Sequence, residues 1–245
     1  MEDNAFCSIS LESLREIKDE DEIYCLKKAA AISDQAFRDV LQFLRPGISE
    51  IAVAAHMETF MRKHGSERPA FTTIVASGKR GSLPHGIASE KLLVEGEFVT
   101  MDYGAVYRGY HSDITRTVVL GRASEKQREL YDTVLEAQLL GVKCLKVGAS
   151  GQAVDKVVRD FLTEKGYGDN FGHGLGHSVG LEIHEEPRLS PKSKTECLEA
   201  GMVITVEPGV YLPGWGGLRI EDTVLLETQG GVPLTQADKN LIEIG

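Results

Sequence analysis

Residues 172–187, GHGLGHSVGLEIHEEP, place three histidines within twelve positions: His173, His177 and His184. The first two are four apart, a spacing that on one helix face can hold zinc. Two of the three residues between them are glycines, however, and glycine is a poor residue for a helix interior. Apolar residues then alternate, as in a strand, at positions 179, 181 and 183. We therefore expect a glycine-rich loop running into a strand, where backbone can approach a ligand closely.

Four carboxylates lie in segments that otherwise have the composition of buried strands: Asp102, Asp113, Glu207 and Glu221. A buried carboxylate is costly unless it is paired or bound to a metal. For any single acid, a local cap or salt bridge such as Asp113 with Arg116 is the simpler interpretation. Four acids at matching places, with a histidine loop between the halves, favour a shared ligand instead.

Four carboxylates and one imidazole form an oxygen-rich ligand set. Such a set favours harder divalent ions over the sulfur-rich ligation of structural zinc. This much negative charge would suit two ions about 3.5–4 Å apart, bridged by carboxylates.

The helices that must position these residues occur twice. Residues 44–65 and 145–166 align at an offset of 101, with glycine and serine at matching positions. In each copy a glycine closes one helix, a serine N-cap opens the next, and another glycine follows its far end. A longer helical stretch precedes each copy, at residues 19–44 and 124–145.

The strands repeat as well. Residues 95–120 and 200–226 align at an offset of 105, and each copy predicts a β-hairpin with a turn near YRGY or LPGWGG. The four acids stand at the start and the end of each hairpin. The sequence therefore predicts an α+β fold built from two repeats, about 19–120 and 124–226, packed around an approximate two-fold axis as one domain.

Composition excludes several classes of protein. The 245 residues are 42% hydrophobic and 26% charged, as in ordinary soluble globular proteins. A net charge of -10 and the lack of a Lys/Arg-rich run argue against nucleic acid or a membrane as a partner. No apolar run is long enough to span a bilayer, and the acidic N-terminus predicts no signal peptide. Four scattered cysteines without a C-x-x-C indicate a reducing, cytoplasmic location: Cys7, Cys25, Cys144 and Cys197.

Four segments together resemble the signature segments of the pita-bread metallopeptidases, in particular aminopeptidase P and prolidase: MDYGAVYRGYHSDITRT, HGLGHSVGLEIHEEP, ITVEPGVY and GGLRIEDTVLL. The resemblance covers about residues 15–245, which it implies form a single catalytic domain after a lead-in at residues 1–14. It implies the pita-bread (creatinase/aminopeptidase) fold, with two pseudo-symmetric ααβ halves around a curved antiparallel sheet. Family members usually carry a separate N-terminal domain, which we expect to be absent here because the helical pattern begins near residue 19.

The resemblance also implies a dinuclear metal centre. Its ligands would be Asp102, Asp113, His177, Glu207 and Glu221, with Asp113 and Glu221 bridging two divalent ions. Manganese is the expected metal, and cobalt, zinc or iron are alternatives.

Roles for three further histidines follow from the same resemblance. His184 is similar to a histidine that hydrogen-bonds the tetrahedral intermediate, and His173 to one near the substrate pocket of the proline-specific branch. His85 is similar to a histidine that contacts substrate near the scissile bond, although by itself SLPHG indicates only a solvated turn. Arg219 would orient a ligand carboxylate or the substrate, and a plain cross-strand ion pair is an equal alternative.

The implied reaction is peptide hydrolysis by an exopeptidase. Glu207 would accept a proton from a water activated by the metal ions and pass it to the leaving nitrogen. The favoured hypothesis is an Xaa-Pro aminopeptidase, acting on peptides with proline at the second position, with a homodimer as an expected assembly. The alternatives are an Xaa-Pro dipeptidase (prolidase), a methionine aminopeptidase of the same fold, and an inactive binding module. The intact set of five ligands disfavours the last.

Overall fold

The computed structural model describes residues 12–245. Most of the predicted lead-in, together with Cys7, lies outside the described residues. The helices are α1 (Ser13–Glu16), α2 (Glu20–Phe43), α3 (Glu50–Lys63), α4 (Glu125–Cys144) and α5 (Gly151–Glu164), and short 3-10 helices occur at Gly78–Ser82 and Gly168–Asn170. Within residues 12–245, no helix combines the length and apolar character needed to cross a membrane.

Side-chain caps begin all four long helices, and the two predicted serine caps are confirmed. Ser49 accepts the amide of Ala52 at the start of α3, and Ser150 accepts that of Ala153 at the start of α5. Capping boxes open α2 and α4. The glycines expected to close α2 and α4 do not do so: both helices end four residues earlier, and Gly47 and Gly148, each with φ +87°, instead turn the chain ahead of the serine caps.

Thirteen strands follow from the described residues: β1 (Ile74–Ser77), β2 (Phe98–Tyr103), β3 (Val106–Tyr107), β4 (Tyr110–His111), β5 (Ile114–Leu120), β6 (Gly176–Ser178), β7 (Glu185–Leu189), β8 (Val203–Val206), β9 (Gly209–Leu212), β10 (Gly216–Arg219), β11 (Asp222–Glu227), β12 (Gly230–Pro233) and β13 (Glu243–Ile244). Their orders are β1-β2-β5-β13 in one sheet and β12-β11-β8-β6-β7 in another, with β3-β4 and β9-β10 as two-stranded ladders. Thus β1, β2 and β5 of the first half correspond to β6, β8 and β11 of the second. Both predicted hairpins are confirmed, since β2 pairs with β5 and β8 with β11, each antiparallel.

The predicted strand through residues 179, 181 and 183 is wrong. Strand β6 ends at Ser178, and bends fill the chain up to β7. Gly180 donates its N–H to the carbonyl of Glu182 at 3.0 Å, which closes a tight turn. Val179 and Ile183 pack against a hydrophobic cluster, but Leu181 between them is 42% exposed, so the alternation does not place all three residues on one buried strand face. His184 consequently lies at the end of this turn and not in a strand.

Each half has its own hydrophobic core. In the first half, Phe37 and Met57 of the helices pack with Met101 and Val118 of the sheet. In the second half, the corresponding layer is formed by Val134, Val158, Ile204 and Val224. The helix pair of each repeat therefore fixes the strands that contain or adjoin that repeat's acids: Asp102 lies in β2, and the other three acids lie next to strand ends.

Candidate metal centre

Three buried carboxylates from both repeats meet at one point. Oxygens of Asp102, Asp113 and Glu221 all lie within 4.8 Å of one another. Strand β5 brings them together through Thr115, which pairs with Asp102 across the β2–β5 ladder. The carbonyl of Thr115 also accepts the amide of Glu221 at 3.1 Å, which joins the second repeat to the first.

The predicted imidazole ligand and the fourth acid complete the cluster. His177 Nε2 lies 3.6 Å from Asp113 Oδ2 and 3.4 Å from Glu207 Oε1. His177 Nδ1 is 3.1 Å from the carbonyl of Ser178. Because a carbonyl only accepts, Nδ1 carries the proton and Nε2 presents its lone pair to the carboxylates, as a metal-binding histidine must. Thr205 links the two, accepting the amide of His177 at 3.0 Å and donating to Glu207 at 3.3 Å.

The electrostatics of the cluster fit bound cations. Burial, together with the neighbouring acids, raises the pKa of Asp113 and of Glu221 well above their usual range, and burial raises the pKa of Glu207 to about 8. Burial lowers the pKa of His177 to about 3, so its ring is neutral. Asp102 Oδ1 and Glu221 Oε1 are buried without a hydrogen-bond partner among residues 12–245. Orphaned carboxylate oxygens facing like charges are costly unless cations or protons neutralise them.

Arg219 contacts a predicted ligand. Its buried guanidinium donates to the carboxylate of Asp102, to the hydroxyl of Thr115 at 3.0 Å and to the carbonyl of Pro84 at 3.2 Å. Its Nε lies 3.9 Å from an oxygen of Glu207. The contact observed is an ion pair with a predicted ligand carboxylate, and a role in orienting that ligand stays a prediction. The local pairing of Asp113 with Arg116 is not observed, since the Arg116 guanidinium bonds instead to Asp222 at 2.8 Å and to the carbonyl of Ala237.

Sequence reasoning missed Tyr211, which connects Arg219 to a predicted histidine. The hydroxyl of Tyr211 accepts from Arg219 Nη1 at 2.7 Å and lies 2.9 Å from His173 Nε2. Burial lowers the pKa of His173 to about 4, and its Nδ1 faces the carbonyl of Gly174, so Nε2 accepts from the phenol. A signal was present: Arg219 pairs with Gly209 across the β9–β10 hairpin, which places Tyr211 diagonally opposite on the same face.

One cavity of about 530 Å³ gathers every predicted site residue: His85, Asp102, Asp113, His173, His177, His184, Glu207, Arg219 and Glu221. His184 is exposed, and its ring centroid is 4.3 Å from that of His177. His85 is both an exposed turn residue and part of the cavity wall. Arg188, which sequence reasoning did not assign to the site, also lines the cavity, because β7 pairs it with His177.

Comparison with known proteins identifies the family. Residues 24–228 match metallopeptidase family M24, and the chain belongs to this family. An Xaa-Pro dipeptidase of Pyrococcus furiosus is 48% identical over 95% of this chain and 66% of its own length. An uncharacterized peptidase of Bacillus subtilis is 52% identical over the same shares.

Solved structures agree in fold. An Xaa-Pro dipeptidase from Bacillus anthracis superposes with a TM-score of 0.93 at 53% identity, over 95% of this chain and 65% of that one. An X-Pro aminopeptidase from Thermotoga maritima gives a TM-score of 0.93 at 45% identity, over 96% and 66%. The predicted resemblance and the α+β pita-bread fold are confirmed. The chain spans 65–66% of the length of these relatives.

Proposed function

We propose that this M24 metallopeptidase is an Xaa-Pro dipeptidase, which hydrolyses dipeptides whose second residue is proline. The sequence alone favoured the aminopeptidase activity. The names of the relatives favour the dipeptidase alternative, since the Pyrococcus furiosus and Bacillus anthracis proteins both carry that name. The Thermotoga maritima structure supports the Xaa-Pro aminopeptidase as a second candidate.

The observation that carries the proposal is a positively charged side chain, Arg188, at the cavity wall. A dipeptide presents a free carboxylate one residue beyond the scissile bond, whereas a longer peptide has an amide there. Arg219 is already committed to Asp102, but Arg188 is not committed to the metal cluster. Its ion pair with Glu186 spans 3.3 Å between side chains that are 52% and 49% exposed. Such surface pairs contribute about 0–1 kcal/mol, so Arg188 is free to bind a substrate carboxylate with its planar fork of donors.

The five predicted ligands would hold two divalent ions, for which we propose manganese: Asp102, Asp113, His177, Glu207 and Glu221. Their fit rests on the orphaned oxygens of Asp102 and Glu221 and on the free lone pair of His177 Nε2. When bound, such ions act as Lewis acids and lower the pKa of water.

The protein's own residues would move the proton and stabilise charge. Glu207 stands at the cavity wall and would accept a proton from the attacking water, then return it to the proline nitrogen as that amine leaves. The exposed imidazole of His184 would donate a hydrogen bond to the carbonyl oxygen as negative charge develops there. The guanidinium of Arg219 holds the Asp102 carboxylate in place throughout.

The test compares four peptides with manganese-loaded protein: Gly-Pro, Gly-Pro amide, Arg-Pro-Pro and Met-Ala-Ser. We expect Gly-Pro to be cleaved with the highest kcat/KM. Arg188→Gln should raise KM for Gly-Pro roughly tenfold, the loss of one charge-assisted contact, while leaving the amide unaffected. Faster cleavage of Arg-Pro-Pro would favour the Xaa-Pro aminopeptidase, and release of methionine from Met-Ala-Ser would favour the methionine aminopeptidase. If no peptide is cleaved by protein with two metals bound, the peptidase proposal is wrong.

Two expectations about the whole protein stay predictions. We propose a homodimer, which sedimentation velocity would test, and a cytoplasmic location, which cell fractionation would test.

A further inference from the structure

Glu50 is a fully buried carboxylate in the first turn of α3, outside the metal cluster. Its Oε1 accepts the amide of Ser77 at 2.7 Å and the hydroxyl of Ser77 at 2.8 Å. Its Oε2 accepts the amide of Ser89 at 3.2 Å, the hydroxyl of Ser89 at 2.7 Å and Nε of Arg80 at 3.2 Å. One side chain therefore holds both ends of the segment 77–89.

This segment forms one wall of the cavity. Pro84, His85 and Ile87 line it, and the carbonyl of Pro84 accepts from Arg219, which contacts Asp102. The imidazole of His85 makes no hydrogen bond within the described part of the chain and is exposed. The location of His85 therefore depends on the backbone of the segment 77–89, and Glu50 holds both ends of that segment by hydrogen bonds.

We propose that Glu50 is a positioning residue that fixes His85 against the substrate. The proposal rests on the proposed function, together with the place of His85 in the cavity wall and the substrate contact that the family resemblance implies for it. A carboxylate suits this task because all five of its partners are donors. A glutamine of the same shape would turn an amide N–H₂ toward one of the two donor sets, so that end of the segment would be released.

The first experiment needs no substrate. Amide hydrogen exchange is measured on Glu50→Gln and on a matched control, Asp34→Asn. Asp34 is also a buried helix carboxylate, and it accepts the amides of Gln236 and Ala237, at 2.8–2.9 Å, in a loop that does not line the cavity. We expect faster exchange in residues 78–88 of the first variant alone. Unchanged exchange there would overturn the proposal, whatever the enzyme's activity.

The second experiment separates positioning from general destabilisation. Glu50→Gln should lower kcat/KM for Gly-Pro on the order of 10- to 100-fold, as displacement of a substrate-contacting group does. Asp34→Asn should leave kcat/KM within about twofold of the wild-type value, because its loop lies outside the cavity wall.

The decisive arm is the double variant. In a His85→Ala background, Glu50→Gln should cause no further loss of kcat/KM, since the group that it positions is already gone. If the two losses multiply, Glu50 does not act through His85 and the proposal fails. A wild-type protein that cleaves none of the peptides would instead refute the proposed function, and the exchange experiment would then decide the role of Glu50 alone.

Discussion

Removal of the metal ions should leave a protein whose free energy of unfolding falls as the pH rises from 6.5 to 8. Burial raises the pKa of Glu207 to about 8, and the pKa values of Asp113 and Glu221 are also raised. In this pH range the folded Glu207 retains a proton that the unfolded chain has lost. Unfolding then releases protons, so a higher pH favours the unfolded state.

The pH window limits the contribution of the histidines. Burial lowers the pKa of His173 and of His177 in the folded protein, and the unfolded value is about 6.5. Each ring is neutral in the folded protein but half protonated at pH 6.5 in the unfolded chain, which offsets the loss of stability across the window by about 0.4 kcal/mol per histidine. Below pH 6.5 the same histidines would oppose the carboxylates more strongly, because protonation of the unfolded chain would then favour unfolding.

The expected magnitude follows from the Glu207 shift. Each pH unit between the unfolded and folded pKa values changes the free energy of unfolding by about 1.4 kcal/mol. Titration of a group with a folded pKa of about 8 gives a loss of about 2 kcal/mol between pH 6.5 and pH 8. Asp113 and Glu221 can only add to this loss. Against a typical total of about 5–15 kcal/mol, the change is readily measured.

The assay is urea unfolding followed by circular dichroism at four pH values, with chelator and with saturating manganese. Metal-free wild-type protein should lose stability across the window, and Glu207→Gln, which carries the same histidines, should lose about 2 kcal/mol less than wild type. Metal-loaded protein should lack the slope, because cations have displaced the protons. A metal-free wild type whose stability is constant or rises with pH would refute the reasoning.

Three further outcomes are expected. Gly176→Ala should destabilise the fold by about 3 kcal/mol or more, since its Cβ would lie 1.9 Å from a backbone carbonyl oxygen. The control is Gly172→Ala in the same loop, whose Cβ would meet nothing within 4 Å. Equal unfolding midpoints for the two variants would contradict this expectation. Thr115→Val removes the 2.6 Å hydrogen bond to Glu221 and should weaken manganese binding about tenfold by calorimetry. Unchanged affinity would show that the hydroxyl does not support the ligand. Arg219→Lys should reduce kcat on the order of 10²-fold, because an ammonium cannot make the same forked contacts, and near-normal turnover would argue against that role.

Short-range features were predictable from sequence because they depend on neighbouring residues. Ser49 and Ser150 each accept the backbone N–H three residues further on, so the residues next to each helix start are enough to predict it. The YRGY turn forms where Arg108 and Gly109 both adopt positive φ, as a two-residue hairpin turn requires. The same local logic failed at residues 179–183, where apolar alternation imitated a strand. There the chain forms a turn at Gly180, closed by a hydrogen bond to Glu182. Closing so short a loop loses less conformational entropy than pairing with a distant strand.

The sequence by itself determined that acids in apolar strands would need neutralising partners, and that a glycine-rich loop would bring a histidine to them. Only the tertiary structure decided which groups meet. Arg219 lies 117 residues from Asp102 along the chain. The segment 77–89, which Glu50 holds by hydrogen bonds, lies outside the helix that contains Glu50. Arg116 pairs with Asp222 and not with the nearby Asp113. These contacts depend on how the two cores set their strands side by side, because packing of many side chains, and no local pattern, fixes the separation of distant residues.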